Sequence, residues 1–198
     1  LENIGSPHLS MDMQVISKSA PIRLDLSAVA KGYAVDQIAN LLEMLALPDY
    51  LVEVGGEMRL GGSNPDGQPW RIAVEMPAVI PQVQRVMAAR NVAIATSGDY
   101  RNYFEQDGVR YSHTIDPRTG KPIRHNLASV TVVAETCAEA DAWATALMVL
   151  GEEQGMLLAE QLGLAIYMLV KEDEEFRALS SEAFAPYIRA TDSIEQEA

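Results

Sequence analysis

The sequence has few of the features that cross-link a chain or carry it across a membrane. Cys137 is the only cysteine among 198 residues, so neither an internal disulfide nor a cysteine-rich metal site can form. Apolar runs such as residues 164–170 are far shorter than the roughly 18 residues that a membrane-spanning helix requires. Residues 1–10 have neither the basic region nor the apolar core of a signal peptide. The sequence therefore predicts no membrane span.

Positive charge is also scarce. The chain has 15 Lys+Arg against 28 Asp+Glu, which gives a formal net charge of −13. Because this charge repels nucleic-acid backbones and anionic lipids, the composition argues against a nucleic-acid-binding function. With 48% hydrophobic and 22% charged residues, the chain is typical of a globular protein that buries a core without disulfides. No internal repeat or Gly/Ser linker marks a domain boundary.

The first half of the chain combines one predicted helix with short predicted strands. A strand is predicted at residues 22–26, and Ser27 is placed to cap a helix that Pro48 ends. Further strands are predicted at residues 50–54, 57–60 and 70–75. The glycines and turn residues between these strands predict an antiparallel meander.

The second half contains more strands and two predicted helices. Residues 84–89 fit either a helix or a strand. Thr136 begins a capping box that predicts one helix to about residue 150, and a second helix follows near residues 152–162. The remaining strands are predicted at residues 92–96, 100–105, 109–113, 128–134 and 164–170, with a tight loop at 116–122. This order indicates an α+β fold with antiparallel sheets and packed helices. Residues 191–198 are predicted to be a disordered tail.

Asp141 and Thr145 are four residues apart on a predicted helix, so their side chains lie on the same helix face. A carboxylate and a hydroxyl that converge on one point suit a hard cation such as Mg²⁺. Two oxygens are too few for octahedral coordination, so backbone carbonyls, water or substrate phosphates must supply the others. A structural role also fits, because an acidic residue early in a helix complements its dipole and Thr can bond back to a carbonyl.

A second candidate group lies at residues 25–33, where the predicted strand turns into the first helix. Free amides at a helix start bind anions, and Lys31 adds a positive charge that suits a phosphate. The segment is not a P-loop, because the glycines and the Lys-Ser/Thr pair of that motif are absent. An ordinary capped helix with a surface lysine explains the same residues.

His113 ends a predicted strand and leads into a turn that Asp116 opens. Because histidine titrates near neutral pH, His113 could accept a proton from an attacking hydroxyl. A hydrogen-bonded surface histidine is the structural alternative.

Two further features each allow a functional and a structural interpretation. The Gly55-Gly56-Glu57 step fits either close approach of a ligand to the backbone or a β-bulge. Cys137 lies in the first turn of a predicted helix, where it is either a reactive thiol or a small packed side chain.

Taken together, the order and wording of five motifs resemble the ApbE family, whose members are FAD:protein FMN transferases. The motifs are residues 25–36 (DLSAVAKGYAVD), 54–57 (VGGE), 95–98 (ATSG), 113–120 (HTIDPRTG) and 140–146 (ADAWATA). The resemblance covers about residues 22–170, which is most of the chain.

This resemblance implies a T-fold-like α+β architecture, a bound Mg²⁺ ion and FAD as the substrate. It also implies transfer of FMN to a Ser or Thr hydroxyl of a partner flavoprotein, with release of AMP. The implied Mg²⁺ ligands are the backbone carbonyl of Ala28 and the side chains of Asp141 and Thr145. FAD contacts are implied at Asp25, Lys31 and Ile115, with Gly55, Gly56 and Glu57 nearby, and His113 is the implied general base. Attack of a hydroxyl on a pyrophosphate needs both a cation and a proton acceptor.

Two departures from the family pattern qualify the resemblance. Some members carry a second hydroxyl residue just before the metal-binding Thr, where this chain has Ala144. Members also carry, before the first motif, an N-terminal segment on the order of a hundred residues that begins with a lipoprotein or secretory signal and contacts the flavin. We therefore expect residues 1–198 to be the C-terminal portion of an ApbE-like domain from a periplasmic protein or membrane-anchored lipoprotein.

Two other functions would use the same residues. A pyrophosphatase would split FAD into FMN and AMP with water, and a non-enzymatic protein would bind FAD without turnover. The sequence does not separate these alternatives from the transferase.

Overall fold

A computed structural model describes residues 4–75, 83–98, 103–106, 109–173 and 175–188. The longer helices are α1 (Ala30–Met44), α2 (Cys137–Leu150) and α3 (Glu152–Leu162); short 3-10 helices lie at Ser6–His8 and Glu182–Phe184, and residues 185–188 are also helical. The strands are β1 (Leu9–Asp12), β2 (Val15–Lys18), β3 (Tyr50–Val54), β4 (Glu57–Gly61), β5 (Trp70–Glu75), β6 (Val83–Ala89), β7 (Val92–Gly98), β8 (Tyr103–Gln106), β9 (Val109–Ser112), β10 (Ile115–Asp116), β11 (Lys121–Pro122), β12 (Leu127–Ala134), β13 (Ala165–Glu172) and β14 (Glu175–Ser180). The predicted mixture of α and β structure is confirmed.

A six-stranded antiparallel sheet in the order β14-β13-β12-β7-β4-β3 forms the centre of the fold. On one face, α2 and α3 bury an apolar core against Ala95, Val130 and Ile166. On the opposite face, the β5–β6 hairpin and Phe184 cover Ile94 and other apolar side chains. Because both faces are covered, the first seven residues of β12 and the first six of β13 are all buried, including the polar Ser129 and Thr131.

Helix α1 packs beside α2 on the helical face, where Val35 and Ala39 meet Tyr50, Val52 and other apolar side chains. The close approach of the two helices depends on Gly32, because a Cβ atom there would lie 2.2 Å from the Cys137 carbonyl oxygen. This contact brings the start of α1 against the first turns of α2.

Several predicted elements are confirmed. Thr136 caps α2, since its side chain accepts a hydrogen bond of 3.3 Å from the Glu139 amide. Gly151, with φ +80°, stands between α2 and α3. The strands β3, β4, β5, β7, β12 and β13 lie where they were predicted, and residues 84–89 belong to strand β6. No helix in the described part of the chain is long and apolar enough to cross a membrane.

The predicted start of the first helix is wrong. Residues 22–26 form no strand, because no strand in the described part of the chain pairs with them, and of these five residues only Ile22 is buried. Ser27 does not cap α1. Its amide donates to Asp25 Oδ1 at 2.8 Å, and Val29 occupies the cap position without a side-chain bond. The helix therefore begins after a turn at residues 27–29 and ends before Pro48.

The predicted meander is also wrong in its third strand. The β3–β4 hairpin forms, but β4 pairs next with β7, while β5 pairs with β6 in a separate sheet. Strands β8 and β9 pair as predicted, although residues 99–102 and 107–108 lie outside the described residues. The predicted disordered tail, residues 191–198, also lies outside them.

Candidate active site

All ten predicted site residues line one cavity of about 1360 Å³. They are Asp25, Ala28, Lys31, Gly55, Gly56, Glu57, His113, Ile115, Asp141 and Thr145. The cavity walls come from the turn before α1, the β3–β4 hairpin, the end of β7, the segment after β9, and α2. Asp25 and Thr145, which are 120 positions apart in the sequence, are thus brought to one cavity, as a common site requires. The individual roles of the ten residues stay predictions.

Asp141 joins α2 to the start of α1. Its side chain is only 3% exposed, and its Oδ2 accepts a 3.1 Å hydrogen bond from the Gly32 amide. In an uninterrupted helix that amide would donate to the Ala28 carbonyl, four residues earlier. Because it donates to Asp141 instead, the Ala28 carbonyl has no helical donor. The Ala28 carbonyl oxygen and the buried Asp141 carboxylate therefore remain available as cation ligands where the start of α1 meets α2.

Asp36 makes the reciprocal connection from α1 to α2. Its two carboxylate oxygens accept hydrogen bonds of 2.9 Å from the amides of Cys137 and Ala138, and its Oδ1 also lies 3.1 Å from Arg59 Nη1. These two amides belong to the first turn of α2, where a helix has no internal acceptor for them. Asp36 ends the first motif, but its role was not predicted from the sequence. Its buried acidic side chain fixes the register in which Asp141 meets Gly32.

Thr145 lies one turn after Asp141 on α2 and shares the cavity with Ser97 at the end of β7. The two hydroxyl oxygens are 3.3 Å apart. Sequence reasoning did not identify Ser97, even though the third motif contains it, because its proximity to Thr145 depends on the packing of α2 against β7.

Gly55 and Gly56 form the two-residue turn of the β3–β4 hairpin, in which Val54 pairs with Glu57. Both glycines have positive φ values, +63° and +99°. Of the two interpretations of this step, the β-bulge is therefore wrong, because no extra residue interrupts the pairing. Left-handed conformations at both positions are typical of a tight hairpin turn. The turn places Glu57 as the first residue of β4.

Glu57 and Lys31 form an ion pair at the cavity wall. Burial raises the pKa of the Glu57 carboxyl, the Lys31 ammonium opposes this rise, and the Asp141 charge adds to it. Two carboxylates and one ammonium thus lie close together, so the site has an excess of negative charge. A cation at this position would relieve that excess.

Asp25 is exposed and bonded locally. Its Oδ1 accepts hydrogen bonds from the amide and hydroxyl of Ser27, and these bonds lower the pKa of Asp25. The carboxylate therefore stays ionised at the edge of the cavity, in the turn that also carries Ala28.

His113 is exposed and follows directly after β9, and Ile115 is half exposed at the start of β10. Below them, Asp116 bonds to the backbone amide and guanidinium of Arg118. These bonds lower the pKa of Asp116 and hold the predicted turn closed. The turn supports the segment that carries His113 to the cavity.

Cys137 is a packed thiol. It is fully buried between α1 and β7, and burial, followed by the Asp36 charge, raises its pKa from 9.0 to about 12. We expect a thiol-reactive reagent at neutral pH to label this single cysteine only after denaturation. In the folded state the thiol is shielded from the reagent and stays protonated, whereas the reactive form is the thiolate. Rapid labelling of the native protein would contradict this placement.

The same pKa shift predicts a pH dependence of stability. The unfolded thiol ionises near pH 9 and the folded thiol near pH 12, so the folded state binds more protons in between. The stabilisation is fully present below pH 9 and is lost as the pH rises towards 12. Thermal unfolding across this range is expected to show a smaller fall in midpoint for Cys137→Ala than for the wild type.

The donor set at this corner fits a hard divalent cation. It consists of the Asp141 carboxylate, the Thr145 hydroxyl and the Ala28 carbonyl, all of them oxygens, which suit Mg²⁺ better than a soft transition metal. No group of three or more His, Cys, Asp or Glu side chains that could hold a metal occurs among the described residues. Any such ion therefore depends on backbone, hydroxyl and substrate oxygens to complete its coordination.

A sequence model of the ApbE family matches residues 1–168. The chain belongs to the ApbE family. A relative from Vibrio cholerae named FAD:protein FMN transferase is 50% identical over 186 residues, which cover 93% of this chain and 56% of the relative. The protein of the same name from Escherichia coli K12 is 45% identical over 190 residues, which cover 93% and 54%.

Solved structures of the ApbE family confirm the fold. Flavin transferase ApbE from Vibrio cholerae has a TM-score of 0.85 and 46% identity, covering 94% of this chain and 60% of that one. The ApbE protein from Thermotoga maritima has a TM-score of 0.84 and 32% identity, and the match covers 94% of this chain and 61% of that one. The α+β, ApbE-like architecture predicted from the motifs is therefore correct. The chain spans about half the length of the curated relatives that it matches.

Proposed function

We propose that this chain is part of an Mg²⁺-dependent transferase that moves FMN from FAD to a Ser or Thr hydroxyl of a partner flavoprotein and releases AMP. Its relatives are named FAD:protein FMN transferase, which supports flavin transfer as the reaction class. We further propose a periplasmic or lipoprotein-anchored location, which follows only from the family resemblance.

One observation carries this proposal. The cavity brings together the buried Asp141 carboxylate, the Lys31 ammonium and the Ala28 carbonyl, which the Gly32 amide leaves free of its usual helical bond. A dinucleotide with a diphosphate bridge needs this combination, because a cation and a fixed positive side chain neutralise its charges in a protein of net charge −13.

Five cavity residues take part in the proposed reaction. Ala28, Asp141 and Thr145 would hold Mg²⁺, which when bound would stabilise the charge that develops on the diphosphate oxygens. His113 accepts the proton of the acceptor hydroxyl as its oxygen bonds to the phosphorus of the FMN half. The bond from that phosphorus to the bridging oxygen breaks, and AMP leaves with that oxygen. Lys31 faces the anionic diphosphate.

The test is incubation of the full-length protein with FAD, Mg²⁺ and a candidate flavoprotein acceptor. We expect mass spectrometry to find a covalent FMN adduct on the acceptor and one AMP released for each adduct. We also expect His113→Ala to lower the rate about 10²–10⁴-fold while leaving FAD affinity close to that of the wild type, because it removes only the proton acceptor.

Each alternative gives a different outcome in the same experiment. AMP release without an adduct, and independent of the acceptor, would replace transfer with hydrolysis by water. FAD binding without AMP release in either the wild type or His113→Ala would indicate a binding protein. Either result would contradict the proposed transferase function.

A further inference from the structure

The two side chains of the Lys31–Glu57 ion pair differ greatly in solvent exposure. The Lys31 side chain is 45% exposed, whereas the Glu57 side chain is only 2% exposed. The Lys31 side chain therefore lies open at the cavity wall, whereas the Glu57 carboxylate, although Glu57 also lines the cavity, is almost fully shielded from solvent. A direct contact between Glu57 and a ligand, which the family resemblance implied as one possibility, would require the Lys31–Glu57 ion pair to open.

The Glu57 carboxylate has few hydrogen-bond donors other than Lys31. Its Oε2 is buried and accepts no hydrogen bond from any residue that the structure describes. Moving Lys31 away would leave a buried carboxylate charge without its partner, beside the Asp141 charge. The ammonium is consequently held where it is, although the lysine stem is long and half exposed.

Gly55 restricts the lysine stem from the other side. A Cβ atom at Gly55 would lie 3.3 Å from Lys31 Cδ and 3.7 Å from Glu57 Oε2. The stem thus passes directly over the β3–β4 turn on its way from α1 to Glu57. The hairpin provides both the surface that the stem crosses and the carboxylate at its end.

We propose that Glu57 is a positioning residue, which holds the Lys31 ammonium at the cavity wall for an anionic group such as a diphosphate and does not itself touch the ligand. Most of the freedom of a four-carbon side chain is lost before the ligand arrives. Binding then costs less conformational entropy, and the charge meets the phosphate in one place. This inference rests on the proposed function, because the diphosphate is that of FAD.

The test compares Glu57→Gln, Lys31→Met and the double variant in the full-length protein. The probes are FAD affinity by titration calorimetry and the steady-state constants for FAD transfer. We expect Glu57→Gln to raise the Kd and KM for FAD roughly tenfold with little change in kcat, because it releases the ammonium but removes no reacting group. The double variant should be no weaker than Lys31→Met alone, since Glu57 acts only through Lys31.

A structural role for Glu57 gives a different pattern. Under the proposal, ligand-free Glu57→Gln melts within a few degrees of the wild type, because a neutral amide replaces a buried charge of similar shape. Glu135→Gln, which removes an exposed carboxylate outside the cavity, is the matched control and should leave FAD affinity unchanged.

Three results would overturn the proposal. They are wild-type FAD affinity in Glu57→Gln, a double variant whose loss equals the product of the single losses, and a loss of affinity that follows a loss of ligand-free stability. The proposed function fails separately, if the wild type forms no covalent adduct.

Discussion

Replacing Asp141 with Asn is expected to lower flavin transfer by the full-length protein at least about a hundredfold at saturating Mg²⁺. Mutation of a residue that only hydrogen-bonds to a metal ligand lowers metal affinity or activity about 10–100-fold. Loss of an oxygen that itself binds the metal is expected to cost at least as much. The side-chain carbonyl of Asn still accepts the Gly32 hydrogen bond that Asp141 Oδ2 now receives. Its amide then presents N–H groups to the cation instead of an oxygen.

Asp141→Ala separates the chemical role of this side chain from its structural role. Both variants should lose Mg²⁺-dependent transfer, but only Ala leaves the Gly32 amide buried without an acceptor. That loss is expected to cost about 1–3 kcal/mol of stability, measured by urea unfolding. Asp141→Asn should stay close to the wild type in the same experiment.

Glu139→Gln is the matched control for Asp141, because it removes an exposed carboxylate two residues earlier on the same helix. It should transfer flavin at the wild-type rate and bind Mg²⁺ with unchanged affinity in calorimetry. An unaltered transfer rate in Asp141→Asn at saturating Mg²⁺ would refute the metal assignment. Wild-type Mg²⁺ affinity in that variant would refute it as well.

Gly32→Ala is expected to destabilise the fold by roughly 3 kcal/mol or more, although Gly→Ala within a helix usually stabilises it. The added Cβ would lie 2.2 Å from the Cys137 carbonyl oxygen and 2.7 Å from the Ala138 amide nitrogen. Both neighbours are backbone atoms, so α1 has to move away from α2. That movement strains the Gly32–Asp141 bond and the bonds from Asp36 to α2.

Gly155→Ala provides the control for this prediction. Gly155 is also buried within a helix, but its nearest neighbour is the terminal methyl of Met168, at 3.0 Å, which is the end of a flexible side chain. Its unfolding midpoint in urea should differ much less from that of the wild type. If Gly32→Ala were as stable as Gly155→Ala, the close crossing of α1 and α2 would not be needed.

Elements with local signals were predicted well. The cap of α2 depends on Thr136 and Glu139, which are three residues apart, and the helix lies where the sequence placed it. The β3–β4 hairpin is equally local, since two glycines separate its strands. The interactions that decide such elements lie within a few residues, so composition and spacing record them.

The errors concern which strands form and pair across long sequence distances. The meander was wrong because β4 pairs with β7, and the strand at residues 22–26 was wrong because none of the described strands pairs with it. The edge strand β14 was missed, because its mostly exposed residues carry only a weak apolar pattern. In each case the outcome depends on which sheet edge is available, and a local pattern does not contain that information.

The sequence by itself determined the α+β class and, through five motifs, membership of the ApbE family, and it predicted which residues line the cavity. It did so because helix caps, turn glycines and the spacing of Asp141 and Thr145 are properties of short segments. Only the tertiary structure decided that Asp141 receives the Gly32 amide, 109 residues away, and that Glu57 lies buried behind Lys31. These contacts arise because two helices pack on one sheet face, and chain folding rather than sequence proximity sets the distances there.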